Sequence, residues 1–318
     1  MKALTTERIV THAQFETADG VLAGNGTASD YFALLKPRVM ALVVFTAFAG
    51  LLVAPEPMHP WMGFMTLLAI ALGAGASGAL NMWFDVDIDA LMKRTAARPL
   101  PRGAIQPGEA LGFGVTLAVA SVLTLGLVAN YLAAAILAFT IFFYVVVYTM
   151  WLKRWTAQNI VIGGAAGALP PVIGWAAVTG DVGIPALILF ALVFYWTPPH
   201  FWALSLRIRK DYAAAGVPML PVVRGIPETT RQIALYTILM VAISIVLWPV
   251  ARMGIVYLSA AVILGAIFLQ QAYALWRRGS SEEESTAGAI RLYKYSISYL
   301  TLLFAAVAVD TLVALALA

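Results

Sequence analysis

Three side chains that carry oxygen ligands stand at four-residue intervals near position 85: Asn81, Asp85 and Asp89. On an α-helix this spacing places all three on one face. Two carboxylates one turn apart repel each other unless a cation lies between them, and Mg²⁺ prefers such hard oxygen ligands. The spacing therefore predicts a Mg²⁺ site, with a solvated acidic loop as the alternative. Asp87 points elsewhere and could hydrogen-bond a neighbouring segment.

Basic side chains follow this acidic group closely. Lys93, Arg94 and Arg98 come directly after it, and Lys153 and Arg154 form a second basic pair farther along the chain. Lysine offers a point charge to phosphate oxygens, and arginine offers a planar pair of donors. We predict that these side chains bind a diphosphate beside the metal. For the second pair, which follows two tyrosines, the alternative is an ordinary interfacial belt of a membrane protein.

A third group of candidate residues surrounds His200, in the run YWTPPHFW at 195–202. The two prolines predict a break or kink in the helix, and freed backbone groups persist in a membrane where they line a cavity. Aromatic neighbours such as Trp202 indicate a pocket around His200; the alternative is a hydrogen-bonded structural histidine. Asp211 follows among basic residues, and it is predicted to be either a further metal ligand or an ion-pair partner.

The composition places these residues in a membrane protein. Of the 318 residues, 62% are hydrophobic and 11% are charged, and the mean hydropathy is +0.87. Soluble domains carry roughly 25% charged residues. Backbone polar groups in lipid must be satisfied internally, and long unalternating apolar runs select helices over barrel strands. We predict an all-α polytopic protein with about nine transmembrane helices, near 38–55, 60–82, 108–128, 131–150, 159–179, 183–203, 232–250, 254–275 and 295–317.

The basic residues are segregated by these helices. Of the 20 lysines and arginines, 19 fall on one side of a nine-helix bundle and only Arg252 falls on the other. The positive-inside rule then places the N-terminus and the basic loops in the cytoplasm and the C-terminus outside. The polar stretch 1–30 is predicted to be a cytoplasmic tail, and 31–318 is predicted to be the membrane-embedded domain. Cysteine is absent, which excludes disulfides and thiolate metal sites.

Glycines cluster in the second and fifth predicted helices. Gly73, Gly75 and Gly78 end the second, and the fifth carries Gly163, Gly164, Gly167 and Gly174. Small residues let helices approach closely in lipid, so the pattern predicts tight packing. The alternative is room for a bulky ligand between helices. Two further points stay open: whether the third and fourth helices are separated near Asn130, and what role Asp310 has in the last helix.

Together these residues resemble the UbiA superfamily of membrane prenyltransferases. The resemblance lies in three stretches: NMWFDVDIDALMKRT at 81–95, YTMWLKRWTAQNIVIGGAAGALPPVIGW at 148–175 and WTPPHFWALSLRIRKDYAAAGVPMLPVVRG at 196–225. It implies nine helices around a central cavity that opens sideways to lipid, with a Mg²⁺-bound diphosphate at the cytoplasmic end. Carried over by position, Asn81, Asp85 and Asp89 are the catalytic first motif.

The second and third stretches resemble the branch of the superfamily that acts on heme. This implies transfer of the farnesyl group of farnesyl diphosphate to a vinyl group of heme B, which gives heme O and diphosphate. His200, Trp202 and Tyr148 are then expected at the acceptor. Many superfamily members carry a second DxxxD where this chain has only His200 and Asp211. This departure suits heme, because His200 could contact or ligate the iron.

The same resemblance implies a setting and a chemistry. The expected location is the bacterial inner membrane, in contact with lipid, with a heme A synthase or a terminal oxidase receiving the product; no nucleic-acid partner is expected. Aromatic faces of Trp83, Tyr144 and Tyr148 are expected to stabilise an allylic cation. The alternatives are the same chemistry on an aromatic quinone precursor, and a transporter. The acidic residues lie at one rim, whereas transporters place charge near the midplane.

Overall fold

The computed structural model describes residues 26–278 and 282–317, and this part of the chain is helical and contains no strand. In chain order its elements are α1 (Ala28–Leu34), α2 (Pro37–Val53), α3 (Pro60–Phe84), α4 (Val86–Leu91), α5 (Pro107–Val128), α6 (Tyr131–Phe142), a π-helical segment (Phe143–Leu152), α7 (Lys153–Trp155), α8 (Asn159–Ala168), α9 (Pro170–Thr179), α10 (Ile184–Arg207), α11 (Arg209–Ala214), α12 (Leu220–Val223), α13 (Gly225–Val250), α14 (Ile255–Arg278) and α15 (Glu282–Leu317).

The predicted all-α membrane bundle is confirmed. In the described residues, eight helical segments are long and apolar enough to cross a membrane, and there are nine if the pair α1–α2, bent by 52°, is counted as one span. The third and fourth spans are separate helices, because the Asn130 side chain caps α6 by accepting from Ala133 N at 2.9 Å. Its amide also donates to the Ala176 carbonyl at 2.7 Å, so that the same turn is anchored to α9.

The predicted polar tail falls largely outside the described residues, which begin at 26. Ordered helix begins at Ala28, before the predicted boundary at 30, and Thr27 and Asp30 form its capping box. Asp30 is buried and also pairs with Arg102 in the loop between α4 and α5. The start of the chain's membrane domain is therefore tied to the loop that follows the acidic motif.

Prolines interrupt a different span from the one predicted. The helix breaks at Leu169, directly before Pro170, which divides the fifth span into α8 and α9. In contrast, α10 runs through Pro198 and Pro199 without a break, so of the predicted break or kink the break is excluded. Proline removes one N–H from the helical ladder, and the neighbouring Thr197 hydroxyl donates to the Val193 carbonyl at 2.9 Å. Buried neighbours hold α10 together despite the two missing donors.

Glycines of the fifth span serve close packing, as predicted. A Cβ placed on Gly174 would lie 2.1 Å from the Ala47 carbonyl oxygen, and one on Gly50 would lie 2.0 Å from the Pro171 carbonyl oxygen. Both distances are far inside van der Waals contact, so α2 and α9 touch backbone to backbone. Gly163 admits the ring of Tyr148 in the same way, with 2.2 Å to Cδ2. Only Gly167 of this group faces open space.

Asp310 has a structural partner that sequence reasoning did not find. Its carboxylate accepts from the backbone N–H groups of Gly254 and Tyr257, the latter at 3.2 Å. These donors lie at the start of α14, where unsatisfied N–H groups and the helix dipole favour a negative charge. Asp310 therefore caps α14 from within α15 and holds the start of α14 against α15.

Replacing Gly50 by alanine is expected to destabilise the bundle, because the new methyl group would collide with the Pro171 carbonyl oxygen. Overpacking of this kind costs about 1–3 kcal/mol. The measurement is thermal unfolding of the purified protein in detergent. The matched control is Gly112→Ala in α5, where a Cβ meets nothing within 4 Å and the change favours helix. Equal melting temperatures for the two variants would contradict the backbone contact.

Candidate active site

The acidic motif lies where α3 gives way to α4. Asn81 occupies the last turn of α3, Asp85 is the junction residue, and Asp89 belongs to α4. The Asp85 N–H still donates to the Asn81 carbonyl at 3.0 Å, and the Asp89 N–H donates to the Asp85 carbonyl at 2.8 Å. Because this four-residue periodicity survives the junction, the predicted common face is kept. The Asn81 amide accordingly donates to the Asp85 carboxylate at 2.8 Å.

All three side chains are buried, and each carries a basic partner. Asp85 is 0% exposed and pairs with Lys153, while Asp89 is 2% exposed and pairs with Arg98 at 2.5 Å. Buried carboxylates require such compensation, since an unpaired charge away from water is very unfavourable. Two of the predicted diphosphate-binding residues thus contact the predicted metal-binding residues directly. The predicted metal-binding residues and these two basic residues therefore form one connected group of side chains.

Lys36 joins this group, although sequence reasoning counted it only as a basic residue of the N-terminal region. Its ammonium donates to Asn81 Oδ1 at 2.5 Å and lies within electrostatic reach of both carboxylates. The backbone of Lys36 is left-handed, with φ of 53°. This conformation is unfavourable for a residue with a Cβ, and such residues concentrate at functional sites. The sequence signal for this role of Lys36 is its position directly before the proline that opens α2.

One carboxylate oxygen of Asp85 is available to a further ligand. Oδ1 is buried without a hydrogen-bond partner, and the nearest charge recorded for it is the Arg154 guanidinium at 3.6 Å. A buried carboxylate oxygen with free acceptor capacity, beside an amide and a second carboxylate, is the donor set that Mg²⁺ accepts. The residues present therefore fit a magnesium ion.

Arg154 is directed mainly at Asp87, which points away from the motif face as predicted. Its two terminal nitrogens reach the Asp87 carboxylate at 2.8 Å each, and the guanidinium lies 4.8 Å from the centre of the Phe84 ring. Partial burial opposes ionisation of Asp87, but the hydrogen bonds and charge of Arg154 outweigh it and lower the pKa of Asp87. This pair fastens α7 to the start of α4.

The remaining predicted ligands of the diphosphate and metal occupy the edge of the site. Lys93 and Arg94 are exposed on the loop after α4, and Arg94 interacts with Tyr212 of α11. Burial raises the pKa of Tyr212, whose side chain faces the loop. Its neighbour Asp211 is half-buried and points to another side of α11, since adjacent residues of a helix diverge by about 100°. Within the described residues, no three acidic or histidine side chains converge as a metal site, so Asp211 is not gathered with Asp85 and Asp89.

The wall of the site opposite α3 is a π-helix, which the sequence did not predict. In this ten-residue segment the Thr149 hydroxyl donates to the carbonyl of Tyr144, five residues earlier, at 2.8 Å. The Asn81 amide in turn lies 3.0 Å from that hydroxyl oxygen. The rings of Tyr144 and Tyr148 pack beside it with 5.4 Å between their centres and 36° between their planes, and both lie within electrostatic reach of Asp85. π-helical turns often mark functional sites.

His200 lies in an aromatic enclosure between α10 and α15. Its ring stacks on Trp196 at 4.4 Å and lies 4.8 Å from Tyr293, and its Nδ1 contacts the Ser296 hydroxyl at 2.7 Å. The next residue, Phe201, packs in a cluster that includes Ile88, the neighbour of Asp89. The two long loops that follow α3 and α10 therefore meet, and they bring the histidine region and the acidic motif to the same end of the bundle.

Two aromatic residues singled out from the sequence are placed elsewhere. Trp202 is 1% exposed and packs edge-on against Tyr236 of α13 at 5.2 Å, on a different side of α10 from His200. Two residues along a helix differ by about 200° in direction, so the two side chains cannot share one pocket. Trp83 packs against the apolar cluster that includes Leu34 of α1. The structure gives both tryptophans a packing role.

Known proteins resemble this chain over most of its length. The sequence pattern of the UbiA prenyltransferase family matches residues 43–297. A protoheme IX farnesyltransferase of Dinoroseobacter shibae is 57% identical over 92% of this chain and 93% of its own length. The protein of the same name from Beijerinckia indica is 55% identical over 95% of this chain and 94% of its own.

Solved structures share the fold at low identity. A digeranylgeranylglyceryl phosphate synthase superposes with a TM-score of 0.73 at 18% identity, over 89% of this chain and 98% of that one. A UbiA homologue from Archaeoglobus fulgidus, bound to DMAPP and Mg²⁺, gives 0.67 at 15% identity over 85% and 99% of the two chains. The chain therefore belongs to the UbiA prenyltransferase family and is a multi-pass membrane enzyme that transfers prenyl groups.

Proposed function

We propose that this enzyme transfers the farnesyl group of farnesyl diphosphate to a vinyl group of heme B, and that heme O and diphosphate are the products. The observation that carries the proposal is the buried Asp85 carboxylate, with one unsatisfied oxygen, set among Lys36, Lys153 and Arg154. Relatives that bear the name protoheme IX farnesyltransferase, at 55–57% identity, support the choice of acceptor.

The diphosphate end of the substrate would lie at the junction of α3 and α4. Asn81, Asp85 and Asp89 would hold Mg²⁺, which neutralises the diphosphate and makes it a better leaving group when it is bound. Lys153 and Arg98 pair with the two carboxylates, and they would contact phosphate oxygens when Asp85 and Asp89 hold the metal ion. Lys36 adds a further cation to this set. The cationic edge formed by Lys93, Arg94 and Arg154 would attract the incoming anion.

The farnesyl end would lie against Tyr144 and Tyr148. Departure of diphosphate breaks the allylic C–O bond, with the electron pair leaving on oxygen, and creates a carbocation. Aromatic faces stabilise cations without reacting with them, and the two tyrosine rings lie beside the acidic motif. The vinyl π-electrons of heme then form the new C–C bond. Water adds to the resulting cation, loses one proton and leaves the hydroxyl group of heme O.

His200 would bind the heme acceptor, and Tyr148 would reach the acceptor across the glycines of α8. Glycines of α8 allow this arrangement, because Gly163 receives Tyr148 and Gly164 receives Thr197, one turn before His200. The Trp196 and Tyr293 rings beside the histidine offer an apolar surface suited to a porphyrin face. Trp202 would pack behind this wall, on a different side of α10 from His200.

We place the site at the cytoplasmic face of a bacterial inner membrane. The segregation of 19 of 20 basic residues on the side that carries the acidic motif supports a cytoplasmic N-terminus. The relatives named above come from bacteria. Apolar farnesyl and porphyrin groups would enter from lipid, whereas diphosphate and the heme propionates would stay at the polar rim. A heme A synthase or a terminal oxidase would receive the product.

The acceptor is tested by supplying purified protein with farnesyl diphosphate, Mg²⁺ and either heme B or an aromatic quinone precursor. Heme B is expected to gain one hydroxyethylfarnesyl group, detected by mass spectrometry of the extracted pigment. Prenylation of the aromatic ring in place of heme would reassign the enzyme to quinone synthesis. Net anion flux in liposomes without any prenylated product would reassign it to transport.

Asp85→Asn and Asp89→Asn are expected to lower heme O formation by roughly two orders of magnitude, because each removes a charged ligand and electrostatic stabilisation of the leaving group. Chelation of Mg²⁺ should give a similar loss in the unmodified enzyme, reversed by adding the metal back. The matched control is Asp181→Asn, the same chemical change in the turn between α9 and α10. Full activity of both motif variants in membranes, with normal insertion, would remove the metal site.

His200→Ala is expected to weaken heme B binding about ten-fold or more, measured by absorbance titration, because the ring supplies both stacking surface and a ligand nitrogen. His59→Ala is the matched control, since His59 is exposed and only caps the start of α3. Identical titrations of the two variants would exclude His200 from the acceptor site.

A further inference from the structure

The hydroxyl group of Ser296 contacts two groups at once. Its Oγ lies 2.7 Å from the backbone carbonyl oxygen of Tyr293 and 2.7 Å from Nδ1 of His200. A carbonyl oxygen has no proton to donate, and a serine hydroxyl has one. The hydroxyl proton therefore goes to the Tyr293 carbonyl. The second hydrogen bond then needs a proton on Nδ1, donated to the serine oxygen.

The surroundings of His200 favour a neutral ring. Trp196 and Tyr293 cover it, and among the described residues no acidic side chain is recorded in contact with it. An imidazolium charge buried there would lack a partner. In a neutral imidazole with its proton on Nδ1, the lone pair is on Nε2. The hydrogen bond to Ser296 therefore leaves Nε2 as the ring nitrogen of His200 whose lone pair is available to bind a metal.

Ser296 is itself held in a fixed position. It is 0% exposed in α15, and its backbone carbonyl accepts from the Trp196 indole N–H at 2.8 Å. Two hydrogen bonds therefore join the same residue to α10, one through the side chain and one through the backbone. Together they fix the axial position of α15 relative to α10 and the rotation of the His200 imidazole ring.

We propose that Ser296 is a positioning residue that holds His200 as the Nδ1–H tautomer, so that Nε2 presents its lone pair to the iron of the heme acceptor. Metal-bound histidines generally donate their other ring N–H to a hydrogen-bond acceptor, which orients the ring and raises its basicity. The inference deepens the proposed function and rests on heme being the acceptor. Ser296 lies outside all three motif stretches that pointed to the family.

The tautomer can be measured without any substrate by ¹⁵N NMR of protein labelled at histidine. The chain has only three histidines, so His200→Ala identifies the resonances of His200 by their loss. We expect a protonated Nδ1 and an unprotonated Nε2 in the unmodified protein. Ser296→Ala should shift the population toward Nε2–H, whereas Ser296→Thr, which keeps the hydroxyl, should retain Nδ1–H. A proton on Nε2 of the unmodified protein overturns the proposal.

Heme B titration tests the consequence for binding. Ser296→Ala is expected to weaken binding roughly ten-fold and to reduce the nitrogen-ligand signature of ferric heme in electron paramagnetic resonance, while Ser296→Thr restores both. If Ser296→Ala binds heme normally and His200→Ala does not, the positioning role is overturned. If neither variant changes binding, His200 is not at the acceptor, and the acceptor site of the proposed function fails while the tautomer measurement still stands.

Discussion

The arrangement of the site depends on one constraint: two carboxylates are buried at the end of a membrane bundle, where each needs a cation. Lys153 and Arg98 meet this need for Asp85 and Asp89. An ion pair in such surroundings contributes little net stability, but leaving one partner alone is strongly unfavourable. The pairs therefore define a state in which charge is balanced before any ligand arrives. In the proposed function Asp85 and Asp89 would turn to Mg²⁺ and the two cations would turn to diphosphate oxygens, so that the total charge would stay nearly balanced.

That constraint explains several otherwise separate features of the fold. The fourth span ends in a π-helix, along which Thr149 contacts Asn81 of α3, and Lys153 follows directly and contacts Asp85. Lys36 reaches Asn81 because its backbone accepts a left-handed conformation at the bend between α1 and α2. Each irregularity costs local backbone energy, and each supplies a polar or charged group to the same buried carboxylates.

The opposite requirement governs the histidine side of the site. There the neighbours are rings, and a single serine hydroxyl supplies the polar contact to the imidazole. A charged rim suits a diphosphate and a metal, whereas an aromatic wall suits a flat apolar acceptor. Glycines of α8 lie between the two regions, because Gly163 receives the Tyr148 ring and the adjacent Gly164 contacts Thr197. Two substrates of very different polarity could therefore approach each other without sharing their binding groups.

The amino-acid sequence by itself determined the membrane class, the positions of the spans, the acidic motif and its common helical face. These follow from composition and from periodicities of a few residues, which local physics governs. It also indicated which residues carry charge, but not which charges meet. The partners Lys153 and Asp85 are 68 residues apart, and His200 and Ser296 are 96 apart.

Only the tertiary structure decided such pairings, because they depend on which helix faces touch and how closely. It also decided that Pro170 breaks a helix while Pro198 and Pro199 do not, since buried neighbours can hold a helix whose own hydrogen bonds are incomplete. Asp310 is a further residue whose role could not be predicted from the sequence, because it caps α14 only where α15 packs beside the start of that helix. Local sequence specifies the elements, and packing between distant elements specifies the chemistry.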